Sequence, residues 1–384
     1  MNPTMVFFFI VLALMALLTF LSVQVVRILC AQAWGKRVSK LVLALNFLSI
    51  AGIAGSKSFF KGMPFAGELL QAIVIWFMFQ LILVCLFAMY RGGLFICHKI
   101  KPSSCRYDQS KRYFLRQAVC LPAAAGALSL YGGLVESRAI ENTDFDIQIK
   151  NLPKKFDGFC IAQLSDVHLG YFFSVDRLDE VLSQIVAANP DILLITGDLF
   201  DDREHNEQAV DLVNTYVKDF PQGIYFCWGN HEYMAGREKI EAALARTKIK
   251  VLAGNAVKLL DGERPLYLLG VDYPIDRMRD QSAQCAETMN SAMKAVPSAA
   301  VKVLMAHHSI FIDYAFANGV DLTMTGHTHG GQIGLFGIPL FPLFKYTRGM
   351  YRQDDLYGYV NSGAGSWCPF RLGCPPEISY FHLR

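Results

Sequence analysis

Long uncharged apolar runs alternate with short basic segments over the first third of the chain. Met1 to Val26, Leu41 to Ser56, Leu69 to Tyr90 and Gln117 to Val135 contain no charged residue, and a membrane-spanning helix needs roughly 17–25 such positions. The first and third runs predict spans outright. The second is short enough for a re-entrant or interfacial helix to compete, and the fourth is rich in small residues. About four transmembrane helices are therefore expected over residues 1–135, with a linker and entry strand at 136–156.

From about Asp144 the texture changes to short buried-type runs separated by amphipathic ones. Phe159 to Ser165, Ile192 to Thr196, Ile224 to Trp228, Leu266 to Val271, Val301 to Ala306 and Leu322 to Thr325 predict strands. Val175 to Ala188, His205 to Lys218, Arg237 to Arg246 and Gln281 to Val296 predict helices between several of them. Such alternation marks an α/β domain.

Composition and charge sharpen the division. The 384 residues are 53% hydrophobic and only 18% charged, with mean hydropathy +0.29, too apolar for a disordered chain or an ordinary soluble enzyme. Residues 1–134 hold 13 Lys and Arg against 2 Asp and Glu, and residues 135–384 hold 23 against 31. Because the basic residues punctuate apolar runs, they anchor spans rather than bind nucleic acid. Arg27 to Lys40 carries four of them, Arg91 to Arg116 seven, and Lys57 to Glu68 two. With four spans the two richer loops face the cytoplasm, and the region after residue 136 lies outside it, as expected for a bacterial inner membrane protein. One span more or fewer reverses that placement. Ser110-Lys111-Arg112-Tyr113-Phe114-Leu115-Arg116 is similar to a weakened twin-arginine signal, but its place behind earlier spans favours an uncleaved anchor. Ten cysteines with no C-x-x-C exclude a zinc ribbon; Cys368 and Cys374 are either paired or free.

The candidate chemistry sits at the strand ends. Asp166-Val167-His168 follows the first predicted strand, Gly197-Asp198-Leu199-Phe200-Asp201 the second and Gly229-Asn230-His231-Glu232 the third. His307-His308 follows the fifth and Gly326-His327-Thr328-His329 the sixth, so six of nine histidines fall in these clusters. Carboxyl ends of strands in an α/β sheet share one edge, which brings the clusters to one crevice. Imidazole and carboxylate together suit manganese, iron or zinc rather than magnesium or calcium. There are too many donors for one ion, and a carboxylate such as Asp198 can bridge a pair. Paired ions suit in-line displacement at phosphorus, which points to phosphoester hydrolysis.

The ordered series D-x-H, G-D-x-x-D, G-N-H-E, H and G-H-x-H resembles the calcineurin-like metallophosphoesterases over residues 157–384. G-H-T-H-G-G-Q behind several spans resembles the membrane-attached branch. The resemblance implies a four-layer α/β/β/α sandwich with mixed sheets. It implies one metal on Asp166, His168, Asp198 and His329, and a second on Asp198, Asn230, His307 and His327, with Asp198 shared. His231 is then an unligated imidazole that contacts the phosphoryl group and protonates the leaving oxygen.

Other residues carry weaker expectations. His308 is a substrate-side or structural residue, since neighbours on an extended segment point to opposite sides. Asp201 orients a ligating histidine or caps a turn; Asp202, Glu204 and Glu232 read as loop charges. Ile333 to Arg352 is too apolar for an ordinary loop and is either a lipid-facing groove or a packed edge, with Tyr346, Arg348 and Arg352 in reach of an anionic headgroup. The expected activity is hydrolysis of a phosphoester or diphosphate bond in a lipid-linked or envelope metabolite. A UDP-diacylglucosamine-type diphosphatase, an activity found among similar family members, is the alternative, though a cytoplasmic precursor conflicts with the loop charges. A non-catalytic metal- and phosphate-binding sensor is an alternative of another class. A transporter is disfavoured, because only Glu68, near a boundary, marks the spans with an acidic group.

Overall fold

The computed structural model describes residues 3–30, 32–55, 63, 65–100, 111–201, 204–276, 279–366 and 368–384, and contacts divide the chain into Met1–Val135 and Glu136–Arg384. The first unit is helical: α1 (Pro3–Leu29), α2 (Gln32–Gly55), α3 (Ala66–Ile100) and α4 (Lys111–Leu130). Among the described residues three helices are long and apolar enough to cross a membrane, over Phe9–Leu29, Ala66–Cys97 and Ala118–Arg138. α2 is not one of them, because Lys36, Arg37 and Lys40 occupy its first half and leave a short apolar run. Inside this unit Asn46 donates to Thr19 and Gln80 and accepts from Trp76 and Gln80, which satisfies a buried amide that would be costly alone.

Among its described residues the second unit contains fourteen strands in chain order. The first seven are β1 (Glu141–Ile147), β2 (Cys160–Leu164), β3 (Ile192–Ile195), β4 (Ile224–Phe226), β5 (Lys250–Val251), β6 (Asn255–Leu260) and β7 (Leu266–Gly270). There follow β8 (Val301–Met305), β9 (Leu322–Thr325), β10 (Gly334–Leu335), β11 (Ile338–Pro339), β12 (Gly349–Gln353), β13 (Leu356–Val360) and β14 (Glu377–Leu383). One six-stranded sheet runs β1-β14-β2-β3-β4-β5, the other β12-β13-β9-β8-β7-β6, and β10 and β11 form a separate hairpin. Both large sheets are mixed: β2, β3 and β4 are parallel while β14 is antiparallel to β2, and β7, β8 and β9 are parallel while β12 and β6 are antiparallel edges. The residues before the first predicted strand are part of the sheet, since β1 pairs with β14 over its whole length.

The layering follows from strand alternation. Leu193 and Ile195 of β3 pack on α5 (Val175–Ala187), α6 (Asn206–Thr215) and, after the short α7 (Asn230–Ala235), α8 (Arg237–Leu244). Ile192 and Leu194 face the other way, into a core shared with Leu268, Val303 and Met324 of the second sheet. Leu269 and Leu304 then meet α9 (Gln281–Met293) and α10 (Phe311–Ala317). Strands covered on both faces read as continuous apolar runs rather than alternating ones. Three cores between four layers give the α/β/β/α sandwich.

Candidate metal centre

The turns leaving β2, β3, β4, β8 and β9 bring the predicted residues together. Ten non-glycine residues have positive φ among those described, and five of them are Asp166, His168, Asp198, His327 and His329, with φ between 50° and 74°. Left-handed backbone costs an L-residue about 1–3 kcal/mol and persists only where its surroundings impose it. Here the turns brace one another. His168 donates its N–H to the Asp198 carbonyl at 3.0 Å and Asp166 to Gly197 at 3.1 Å, while His327 donates to the Asp166 carboxylate at 3.0 Å. Gly326 and Gly229 permit this approach, since a side chain at either would collide with the carboxylate of Asp166 or Asp198.

The side chains converge on two foci. Around the first, His168 Nε2 lies 3.1 Å from His329 Nε2, 4.0 Å from Asp166 Oδ1 and 3.7 Å from Asp198 Oδ2; His329 Nε2 is 3.7 Å from Asp166 Oδ1. Around the second, His307 Nε2 lies 3.1 Å from Asp198 Oδ2, 3.2 Å from Asn230 Oδ1 and 3.1 Å from His327 Nδ1. Asp198 Oδ2 belongs to both. Imidazole nitrogens and carboxylate oxygens facing one another at these distances fit a cation better than they satisfy each other. His307 Nδ1 contacts the Thr196 carbonyl at 2.8 Å, so a proton sits there and Nε2 is the ring nitrogen that faces the focus. His168 Nδ1 is buried without a partner.

Electrostatics agree. Burial pushes the Asp166 carboxyl up to about 6 and the His168 imidazole down to about 4. Burial also holds His327 and His329 well below the ordinary histidine value. Burial alone would raise Asp198, but the His307 imidazole beside it holds the carboxyl well below its usual range. His307 answers in kind: burial opposes its charge, yet Asp198 carries it up to about 10.

The comparisons with known proteins decide the family. A model described as calcineurin-like phosphoesterase matches residues 160–331. An uncharacterized metallophosphoesterase of Bacillus subtilis strain 168, YkuE, is 30% identical over 300 residues, which span 72% of this chain and 98% of its own. The chain is a calcineurin-like phosphoesterase. A transmembrane protein with metallophosphoesterase domain from Danio rerio is 27% identical over 278 residues, 70% of this chain and 63% of that one. An uncharacterized metallophosphoesterase of Helicobacter pylori is 31% identical over 226 residues, 58% and 59% of the two chains. The match thus spans about three fifths of the length of these two relatives. As a member of this family, the phosphoesterase is a metal-dependent phosphoester hydrolase with a His/Asp cluster suited to divalent ions.

Around the cluster, the phosphoesterase places several supporting residues. His231 donates its N–H to Asp198 Oδ1 at 2.8 Å, and its Nδ1 lies 2.6 Å from Asp201 Oδ1. Asp201 therefore orients this histidine, not one of the seven donors at the two foci. Burial disfavours the charged imidazole, but the Asp201 bond and the negative charges of Asp198, Asp201 and Glu232 together hold His231 above the ordinary value.

Glu232 is not a loop charge. It is fully buried and accepts the N–H groups of Asp198, Leu199, Phe200 and Gly229 at 2.7–3.1 Å. It thereby ties the β3 turn to the β4 turn, although burial lifts its carboxyl to about 7. Its spacing three residues after Gly229 is that of a capping box, the signal that could have found it. Glu204 lies exposed; Asp202 is outside the described residues.

The phosphoesterase also buries Arg371 completely. Its guanidinium donates to the carbonyls of His329, Ser362 and Gly365 at 2.6–2.7 Å and meets His329 Nδ1 at 3.2 Å. No sequence motif marked it. His308 Nδ1 accepts the Ile310 N–H at 3.0 Å, and its ring stacks on His327 at 4.7 Å; burial lowers it to about 4. The Tyr346 hydroxyl donates to Asp313 at 2.7 Å, Arg348 donates to the Gly373 carbonyl at 3.1 Å, and Arg352 lies over the Tyr357 ring at 4.6 Å. Cys368 and Cys374 are free thiols.

Proposed function

We propose that the chain is a membrane-tethered two-metal phosphoesterase hydrolysing a phosphoester or diphosphate bond of a lipid-linked or envelope metabolite. The observation that carries the two-metal assignment is Asp198 Oδ2, 3.7 Å from His168 Nε2 in one donor group and 3.1 Å from His307 Nε2 in the other. Asp166, His168, Asp198 and His329 would hold one ion, and Asp198, Asn230, His307 and His327 the other, of manganese, iron or zinc. When bound, such a pair supplies a nucleophile from water and neutralises charge on phosphoryl oxygens.

The chain's own residues do the rest. Asp198 fixes the spacing of the two donor groups, and its Oδ1 is steadied by the His231 N–H. His231, with Nδ1 anchored by Asp201, has Nε2 left to hand a proton to the departing oxygen. The closely packed turns keep these atoms in place without rearrangement.

Three helices apolar enough to cross a membrane support a membrane-borne substrate. The side on which the domain lies turns on α2. Counted as a span, it leaves the basic loops at 27–40 and 91–116 on the cytoplasmic side and the domain on the other. A reporter fused after Arg384 and active only in the cytoplasm overturns that placement.

The test of the activity is hydrolysis of a chromogenic phosphodiester and its matching monoester by the purified full chain. It is run after chelation and manganese add-back, with Asp198→Asn as control. Metal-dependent turnover absent from the variant supports the reading; equal rates in both sink it.

A further inference from the structure

Among the described residues of 136–384, nine large apolar side chains are exposed, and six of them lie between Leu335 and Leu343. This segment holds the β10–β11 hairpin, turned at Phe336-Gly337 with φ of 52° and 80°, a conformation suited to a two-residue hairpin connection. From Ile333 to Phe344 there is no charged residue. Phe336 is 94% exposed and Leu343 85%. Surface apolar residues are ordinarily scattered, and a contiguous exposed patch marks an interaction surface.

The remaining three carry the argument further. Tyr171 follows His168 by three residues, Met234 follows His231 by three, and Ile275 follows Tyr273 by two. The Tyr273 ring lies 5.6–5.8 Å from the rings of His307, His308 and His327. At the far end of the hairpin, Phe344 packs against His327 at 5.3 Å and His308 at 5.6 Å. All nine exposed side chains thus belong to segments that leave the carboxyl ends of strands, on the edge that holds the metal-type cluster. The turns entering β2, β3, β7 and β8 at the opposite edge contribute none.

We propose that this apolar rim, with the 333–344 hairpin as its main contact, docks the catalytic mouth onto a lipid bilayer. The inference rests on the phosphoesterase reading only for what happens at the mouth; the contact itself does not depend on turnover. A bilayer fits better than a second copy of the chain for two reasons. The same chain carries helices apolar enough to cross one, and a protein seated on four segments around the mouth would close it. A lipid surface instead presents phosphorylated headgroups at the level where apolar side chains meet water, and the uncharged hairpin, stiffened by Pro339 and Pro342, enters the acyl boundary beside them. The substrate class that follows is a phosphorylated lipid that stays in its membrane during hydrolysis.

The test is photo-crosslinking of the full chain in nanodiscs of phosphatidylethanolamine and phosphatidylglycerol. A benzophenone amino acid replaces Phe336 or Leu343, or, as control, the exposed Glu263 on the turn entering β7. Lipid adducts at 336 and 343 several-fold above those at 263 are expected. Equal adducts at all three positions, or protein-to-protein adducts at 336, overturn the proposal, the latter in favour of a second copy. Turnover of a soluble chromogenic phosphodiester is measured on the same preparations. Adducts without turnover leave the docking surface standing and remove the hydrolase reading, and turnover without adducts does the reverse.

Discussion

His231 Nδ1 and Asp201 Oδ1 are 2.6 Å apart, at the end of a chain of contacts that begins at Asp198. Asp201 fixes the tautomer and tilt of the imidazole and touches neither focus of the cluster. Asp201→Asn is therefore expected to leave metal content unchanged and to lower turnover by about 10- to 100-fold, with His231→Ala costing about 10²–10⁴-fold. The sign of the pH effect follows from the same bond. Asp201 raises the His231 pKa, so its loss lowers that pKa, and the alkaline limb of the kcat profile moves to lower pH. Unchanged kcat and an unmoved limb in Asp201→Asn rule the pairing out of catalysis.

Asp198 faces both donor groups, and its replacement acts on both. Asp198→Asn is expected to abolish measurable hydrolysis and to lower bound metal, read by elemental analysis of the purified variant. Full metal content with wild-type turnover contradicts its place as the shared ligand.

Glu232 is predicted to act through stability. Glu232→Ala strands buried amides, each at a cost of about 1–3 kcal/mol, and a domain of this size loses about 2–4 °C of Tm per kcal/mol. A fall of roughly 10 °C is expected, with a smaller fall in Glu232→Gln, which retains one acceptor oxygen. Thermal unfolding in detergent distinguishes this from a catalytic role, because a purely chemical residue leaves Tm where it was.

Chelation followed by dialysis is expected to abolish hydrolysis, and manganese, iron or zinc to restore it to different extents. Restoration by calcium alone disagrees with a site rich in imidazole.

Much of this was legible because buried parallel strands and tight ligand turns both leave local signatures. β2, β3, β4, β7, β8 and β9 lie within the predicted apolar runs, and each histidine of the cluster stands within two residues of a glycine or another polar residue near a strand end. Other parts depend on partners distant along the chain. Arg371 finds the His329 carbonyl 42 positions earlier, and β14 inserts between β1 and β2 from the far end of the sequence. Glu232 acts on backbone amides, and its one local signal is the three-residue spacing from Gly229, so without weight on that spacing it reads as one more surface acid. The same limit applied to Asp201, whose partner turned out to be His231 rather than a residue of the two foci.

The left-handed backbone at five of the donor residues bears on how the centre recovers after stripping. Those conformations are braced by bonds between protein groups, from the Asp166 and His168 amides to the β3 turn and from the His327 amide to the Asp166 carboxylate. The fold itself thus aims the donors, and recovery of activity after chelation and metal add-back is expected in a single phase whose rate rises with metal concentration.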